Sequence, residues 1–476
     1  MPIEADLSIL GGGPGGYTAA IRAAQAGKSV VLIEENKIGG TCLHKGCIPT
    51  KSLLHSANLY HQIKHASAFG VEVEDEAIRL HYGRVHQRKQ EVVDQLYGGL
   101  RHLMRKHGIQ VVHGKGRIIG PSIFSPRSGS VAVELADGDM ETVVSSNLMI
   151  ATGSRPRMLQ GLEPDGIHIL NSDQALELEQ LPNSLLIIGG GVIGVEWASL
   201  LSDFGVEVTL VEMAARLLPG EDADISNALQ KAFRARGIRV LTNVQLELPS
   251  YAIEDGRCTL QAETSDGPVR LQADQMLVCV GRQANCETIG LENTDVEIRN
   301  GVIAVNRSLQ TTEPHIYAIG DVTGGVQLAH AAAHEGLCAV EHLLGSPDAA
   351  VYEPHRIPRC IYARPEIASI GWTEAEARKR GMLVKVGKIP FQAIGKAVIS
   401  GEQEGFVKVV AEETTGDLLG VHIIGAKATE LIAEASLAQL LDATPWEIGQ
   451  AIHPHPSLSE ALGEAMLAVN GQALVY

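Results

Sequence analysis

The sequence has 476 residues, 45% of them hydrophobic and only 4% aromatic, with 51 glycines and a formal charge of −17. That length provides for about three domains, and so acidic a chain argues against nucleic acid or an anionic membrane as partner. With neither a signal peptide nor an apolar run of membrane-spanning length, and with seven cysteines that form no framework, a reducing, cytoplasmic setting is expected.

Ala5 to Leu10 reads as a short buried strand. Gly11, Gly13 and Gly16 follow at once, then a small-residue helix from Tyr17 to Ala26, and a second apolar strand from Ser29 that ends at Glu34. This is a dinucleotide fingerprint in its required strand–turn–helix context. Gly11 makes the tight turn, Gly13 lets the backbone approach a pyrophosphate, and Gly16 lets helix and strand pack closely. The helix N-terminus attracts phosphate charge. Glu34 has the reach to bond a ribose hydroxyl.

Next comes Gly40-Thr41-Cys42-Leu43-His44-Lys45-Gly46-Cys47-Ile48-Pro49-Thr50-Lys51. Five residues of regular helix rise about 7.5 Å, more than the 4.4–6.8 Å that paired cysteines span. If Cys42 and Cys47 pair, the backbone bends between them. Gly46 permits that bend, and Pro49 resists a regular helix through the site. A short-loop disulfide of this kind is labile and suited to thiol exchange. Two free buried thiols, or half of a zinc site, are the alternatives. Zinc would need two more ligands at sensible spacing, and no second close pair exists.

Helices are expected from Lys51 to about Ala68 and through Val85, Val93, Leu96, Leu100 and Leu103. Ile109 to His113 reads as a strand leading to Gly114-Lys115-Gly116, and Asp137-Gly138 as the turn of a hairpin. Leu148 to Gly153 reads as a buried strand with a glycine turn. A second fingerprint then appears, with strand Leu185 to Ile188, turn Gly189, Gly191 and Gly194, and strand Val206 to Val211 ending in Glu212. The interval from Gly189 to Glu212 equals that from Gly11 to Glu34, and Met276 to Gly281 repeats the pattern of Leu148 to Gly153. Two related nucleotide-binding domains are implied, the second inserted in the first, and hence two dinucleotides. A carboxylate at Glu212 favours NAD over NADP because it repels a 2′-phosphate, a preference that nearby Arg216 weakens.

Thr312 to Asp321 reads as a strand ending in Gly-Asp, and Gln327 to Ala332 as the start of a helix. From about Val351 the texture becomes α+β: strands at Ile361, Ile367 to Ile370, Phe406 to Val410 and Leu418 to Ile424, and a helix from Lys427 to Leu441. Its natural use is dimerisation or substrate access. In His453-Pro454-His455-Pro456, flanking prolines hold His455 rigidly, and Glu460, starting a helix, can reach its ring. The fold class is therefore α/β, with two Rossmann-like domains and a C-terminal α+β domain, divided at 1–150, 151–277, 278–350 and 351–476.

Assembled, these motifs resemble the flavin-dependent pyridine nucleotide–disulfide oxidoreductases over the whole chain. The resemblance implies FAD on the first fingerprint, NAD on the second, and a homodimer in which one chain's histidine completes the other chain's site. It implies FAD contacts from Thr41, Gly116, Thr152, Gly153, Ser154, Asp321, Gln327, Leu328, Ala329 and His330. It places Lys51 by the flavin, paired with Glu196, and gives Val244 and Gly281 to NAD. It makes Cys42 the exchange sulfur, Cys47 the sulfur facing the flavin, and His455 with Glu460 the acid–base pair. Ala363 stands where many relatives have Thr, a departure with no reason to alter the chemistry.

Subtraction within the family points to the members that oxidise protein-bound dihydrolipoamide with NAD. The last cysteine is Cys360, so no C-terminal redox pair is present, and Glu212 stands where NADPH-dependent relatives carry arginines. The partner expected is a lipoyl-bearing acyltransferase or carrier protein of a multienzyme complex. A reductase of another disulfide substrate, or a redox-sensing flavoprotein without catalysis, is the competing expectation. The remaining five cysteines are assigned to packing, and no metal site is expected.

Overall fold

Apolar runs just ahead of glycine turns form the centre of two parallel sheets. The computed structural model describes residues 2–74, 77–121, 127–346 and 352–476. The chain divides into two compact units. The first comprises Met1–Ser52, His86–Arg157 and Arg282–Pro354; the second comprises Leu53–Val85, Met158–Gly281 and His355–Tyr476. The expected boundary between residues 350 and 351 lies outside the described residues.

In the first unit, strand Ile3–Leu10 lies between Val30–Glu34 and Met140–Ile150, all parallel, with Leu7 opposite Val30 and Leu10 opposite Ile150. Gln110–Ile119 and Ile316–Ala318 extend this sheet in parallel on its two sides. Strand Ser130–Leu135 runs antiparallel between Gln110–Ile119 and Met140–Ile150. The hairpin at Asp137-Gly138 is present, with Gly138 at φ 87°. Gly114-Lys115-Gly116 lies inside a strand rather than after one, because the strand continues into the meander. Likewise the strand expected from Leu148 begins at Met140 and is shared between meander and parallel sheet.

The second unit repeats the plan. Ser184–Ile188 lies parallel between Glu207–Val211 and Gln275–Val278, with Ile188 opposite both Val211 and Val278. Arg239–Leu241 and Ile169–Leu170 complete the sheet. It too has an antiparallel meander, Gln245–Glu254, Arg257–Thr264 and Gly267–Ala273, which sequence reasoning passed over. The C-terminal segment forms an antiparallel sheet of Arg359–Ile361, Ile367–Gly371, Leu418–Ile424, Phe406–Glu412 and Val384–Pro390, the last also unforeseen. Helices Ala428–Leu440 and Glu460–Ala468 cover it, burying Ile432, Ala435, Leu462 and Met466.

Two helices differ from expectation. One starts at Cys47, not Lys51, and ends at Lys64, with a short 3-10 turn at Ala66–Phe69. Pro49 sits in its first turn, where the missing N–H has no intrahelical acceptor to lose. The other, Tyr82–Lys106, buries Lys89, Val93, Leu100 and Met104, while Leu96 and Leu103 lie exposed at the edge of that stripe. No described helix is long and apolar enough to cross a membrane.

Within the second unit, a buried cation ties helix Ala223–Ala235 to the C-terminal sheet. The Lys408 ammonium, 4% exposed, donates to Asp222 at 2.9 Å and Asp224 at 3.2 Å, and lies 2.9 Å from Glu374. Asp222 also caps the helix, accepting from the Asp224 amide. Burial would raise the Asp222 and Asp224 carboxyls, but Lys408, joined by His422 and the Asp224 amide at Asp222 and by Lys388 at Asp224, outweighs it and holds both below the usual range. The bond from Lys408 lowers Glu374. The folded state thus binds fewer protons than the unfolded chain. The stabilisation is complete above the ordinary carboxylate range, about pH 4, and fades as pH falls through the lowered values. Lys408→Met is expected to cost about 3–5 kcal/mol, since it strands a buried carboxylate. It should also flatten the loss of stability below about pH 5; urea midpoints across pH measure both.

Candidate active site

The two fingerprints are superposable in their contacts. Gly11 has φ 109° and Gly189 φ 111°, and an added methyl at either would lie 2.2 or 2.3 Å from a carbonyl, Ala151 O or Cys279 O. At Gly16 and Gly194 it would meet Gly11 O at 2.0 Å and Gly189 O at 1.9 Å. These four glycines are required by backbone approach. Gly13 and Gly191, the N-caps of helices Pro14–Gln25 and Val192–Asp203, have extended backbones that any residue adopts, and a methyl there would meet nothing within 4 Å. The room at these two positions faces the helix N-terminus, where a pyrophosphate is favoured. The residues present therefore fit two dinucleotides.

The strand-end acids are held alike. Glu34 accepts from the Gly12 amide at 2.7 Å and the Asn36 amide at 2.8 Å; Glu212 accepts from Gly190 and Ala214, both at 2.7 Å. Each carboxylate is fixed beside its glycine turn. Val244 is buried and donates its amide to the Glu212 carbonyl at 3.2 Å, while Gly281, φ 104°, has open space around it.

The cysteine segment hangs from the first fingerprint. The Gly39 amide donates to Gly12 O at 2.7 Å, and Gly40 approaches Gly13 so closely that a methyl would lie 2.8 Å from its Cα. Thr41 and Cys42 lie in helix Gly40–Lys45, and Cys47 opens helix Cys47–Lys64. Between them Gly46, at φ −151° and ψ −113°, breaks the helix, which is the bend that the spacing demanded. The two sulfurs are neighbours, hydrogen-bonded to each other. That bond, then burial, pushes the Cys42 thiol far up, against the pull of the Lys51 ammonium. Lys51 follows Cys47 by one helical turn, so it shares that face. Tyr17, which sequence reasoning missed, also lies beside both sulfurs: burial and their charge push its phenol up.

Around Asp321 the first unit gathers residues from distant stretches. Asp321 accepts from the Ser154 hydroxyl, which itself accepts from Arg282 Nε at 2.7 Å. Arg282 also reaches Ser154 O at 2.9 Å and lies 3.7 Å from Asp321. Thr152 and Asn285 exchange bonds of 2.8 and 3.0 Å, and the Asn285 amide donates to Gly153 O. The buried Glu335 accepts from the Gly320 amide. Arg282, Asn285 and Glu335 were missed as site residues. Gln327 and Leu328 precede helix Ala329–Leu343, which carries His330 and crosses the fingerprint helix where Gly336 meets Gly15 O. Gly116 is buried in its strand, where a methyl would strike Leu10 at 2.4 Å.

In the second unit, His455 Nδ1 lies 2.8 Å from Glu460 Oε1, and Glu460 Oε2 accepts from the Ser457 amide at 2.8 Å. The Ser457 amide, then the His455 ring, hold Glu460 below the carboxylate range, so it stays ionised. The His455 ring itself is 78% exposed. Glu196 is buried and accepts from the Tyr362 amide at 2.9 Å. Among the described residues no cluster of three metal-ligating side chains occurs.

Two dinucleotide turns, a close dithiol held on one of them, and a carboxylate-oriented histidine define a nucleotide-linked thiol–disulfide oxidoreductase. The chain belongs to the pyridine nucleotide–disulphide oxidoreductase family: that family's profile matches residues 5–336, and its dimerisation domain matches 357–466. It is 54% identical over 477 residues to a dihydrolipoyl dehydrogenase of Bacillus subtilis, covering 100% of both chains. It is 42% identical to the dihydrolipoyl dehydrogenase of Zymomonas mobilis, covering 99% of each. Among solved structures it resembles LpdA from Mycobacterium tuberculosis, with TM-score 0.89, 28% identity, and 98% and 99% of the two chains covered. It also resembles the HOCl-induced flavoprotein disulfide reductase RclA from Escherichia coli, with TM-score 0.85, 28% identity, and 97% and 99% covered.

The glycine contacts separate two kinds of position. Gly194→Ala is expected to destabilise the chain by about 1–3 kcal/mol through overpacking. Gly191→Ala should leave the melting temperature unchanged and weaken NAD+ binding about tenfold. Thermal melts and nucleotide titration distinguish the two.

Proposed function

We propose that the chain oxidises protein-bound dihydrolipoamide to lipoamide and reduces NAD+ to NADH, with FAD on the first fingerprint and NAD on the second. The observation that carries this is the Cys42–Cys47 pair, bent at Gly46 and hydrogen-bonded sulfur to sulfur. The full-length similarity to dihydrolipoyl dehydrogenases supports the choice of dithiol.

A dihydrolipoyl thiol is largely protonated at neutral pH. His455 takes that proton, its ring oriented and its positive charge stabilised by the ionised Glu460. The substrate thiolate attacks Cys42 of the Cys42–Cys47 disulfide, and Cys47 leaves as a thiolate. Cys47 opens an 18-residue helix, so the positive end of that helix stabilises the leaving group. The second substrate thiol then displaces Cys42, closing the lipoamide disulfide and leaving the reduced cysteine pair. FAD, when bound, supplies the two-electron relay from that dithiol to NAD+. Asp321, Ser154 and Glu34 would hold FAD, with Gly13 leaving room for its pyrophosphate and Lys51 on the flavin side, and Glu212 and Gly191 would hold NAD.

His455 projects from the C-terminal segment into solvent, which suits a homodimer in which it serves the partner's cysteines. The dimerisation-domain match over 357–466 supports that arrangement. The lipoyl group arrives on an acyltransferase or carrier protein of a 2-oxo acid dehydrogenase or glycine-cleavage complex, in the cytoplasm.

Cys47→Ser is expected to abolish lipoamide turnover while the protein keeps its flavin absorbance; normal turnover in that variant contradicts the reading. His455→Gln should lower turnover about 10²–10⁴-fold, the contribution of a positioned base, as measured in the steady state.

A further inference from the structure

The loop after the second fingerprint strand, Glu212 to Asp222, contains a cation that could invite the wrong nucleotide. Arg216 follows Glu212 by four residues, and a guanidinium is the group that recognises a 2′-phosphate. In the structure Arg216 is engaged elsewhere. Its Nη2 donates to Pro219 O at 2.9 Å and Glu221 O at 3.1 Å, both carbonyls of its own loop. The Leu218 amide ties the same loop to Gly190 O of the fingerprint at 2.9 Å.

The far end of this loop is locked to the C-terminal sheet by charge. Glu221, 7% exposed, accepts from Arg359 Nε at 2.9 Å and Nη2 at 3.4 Å, and from the Ser369 hydroxyl. Asp222, 3% exposed, accepts from Lys408 at 2.9 Å. Arg359, Ser369 and Lys408 stand on three neighbouring or near-neighbouring strands of that sheet. Two adjacent buried carboxylates therefore fix the carbonyls that occupy Arg216.

We propose that Arg359 is a positioning residue for nucleotide selectivity: by holding Glu221 it keeps Arg216 spent on the loop and leaves Glu212 to select the free ribose of NAD. This rests on the reading that the second fingerprint takes NAD. Removing the Arg359 charge strands the Glu221 carboxylate, releases the loop end and frees the Arg216 guanidinium toward a 2′-phosphate. The selectivity of one domain is thus set by a residue of another part of the chain that touches no nucleotide.

The test measures NAD+ and NADP+ binding and turnover with the FAD-loaded protein. Arg359→Met should raise the NADP+ to NAD+ preference ratio about tenfold, mainly through a lower KM for NADP+, with kcat changed by less than about twofold. Adding Arg216→Met to it should erase that gain, which a merely destabilised loop would not do. Glu221→Gln, which keeps the shape and the Ser369 bond, should shift the ratio in the same direction and serves if Arg359→Met fails to fold. Arg216→Met alone should leave the ratio within about twofold. An unchanged ratio in a flavin-loaded Arg359→Met or Glu221→Gln protein overturns the proposal, as does a gain that survives Arg216→Met. If the unaltered protein fails to bind NAD+, the functional reading falls and this proposal with it.

Discussion

No side chain fits between Gly11 and Gly16, or between Gly189 and Gly194. A single methyl at the second glycine of either pair would sit within 2.0 Å of the first one's carbonyl oxygen. This contact brings each helix N-terminus hard against the end of its central strand, and most of what matters here hangs from that junction. It aims the helix end at the open space beside Gly13 or Gly191. It places the second-strand acid where its carboxylate meets the turn, through Gly12 in one copy and Gly190 in the other. In the first copy it also carries the cysteines, because Gly39 and Gly40 dock on Gly12 and Gly13. The redox pair is thereby held at a fixed place relative to the nucleotide turn by backbone alone.

The cysteine segment shows how a bend becomes chemistry. Gly46 separates a helix that ends at Lys45 from one that begins at Cys47. One sulfur therefore sits inside a short helix and the other at the positive end of a long one. Their environments differ accordingly: the Cys42 thiol is pushed up by its partner and by burial, and Cys47 shares a helix face with Lys51. The two sulfurs are distinguished by backbone position, not by residue type. On the other unit, Glu460 opens its own helix and grips both the His455 ring and the Ser457 amide, so the histidine's orientation is set by a helix start as well.

Much of this was legible because the signals are local. Glycine spacing, the matched intervals to Glu34 and Glu212, the bend at Gly46 and the reach from Glu460 to His455 all depend on residues near one another in sequence. The duplicated meander was legible too but passed over: Asp255-Gly256 joins Glu254 to Arg257 by the same Asp-Gly turn signal that was used at Asp137-Gly138. What the sequence hid is what folding assembles from afar. Arg282 meets Ser154, Asn285 meets Thr152, and Lys408 meets Asp222 across intervals of 128, 133 and 186 residues. A lysine in an apolar strand and an arginine after a glycine carry no local mark of their partners. Pro49 misled for the opposite reason: its disruptive effect depends on its place in a helix, and the first turn tolerates it.

The central claim is that the Cys42–Cys47 pair passes two electrons from a dithiol to NAD+. Its most direct test is NADH formation by the purified, FAD-loaded protein given free dihydrolipoamide and NAD+. The account predicts sustained NADH formation in step with disulfide formation on the substrate. A protein that holds FAD and binds NAD+ yet forms no NADH from dihydrolipoamide would contradict it.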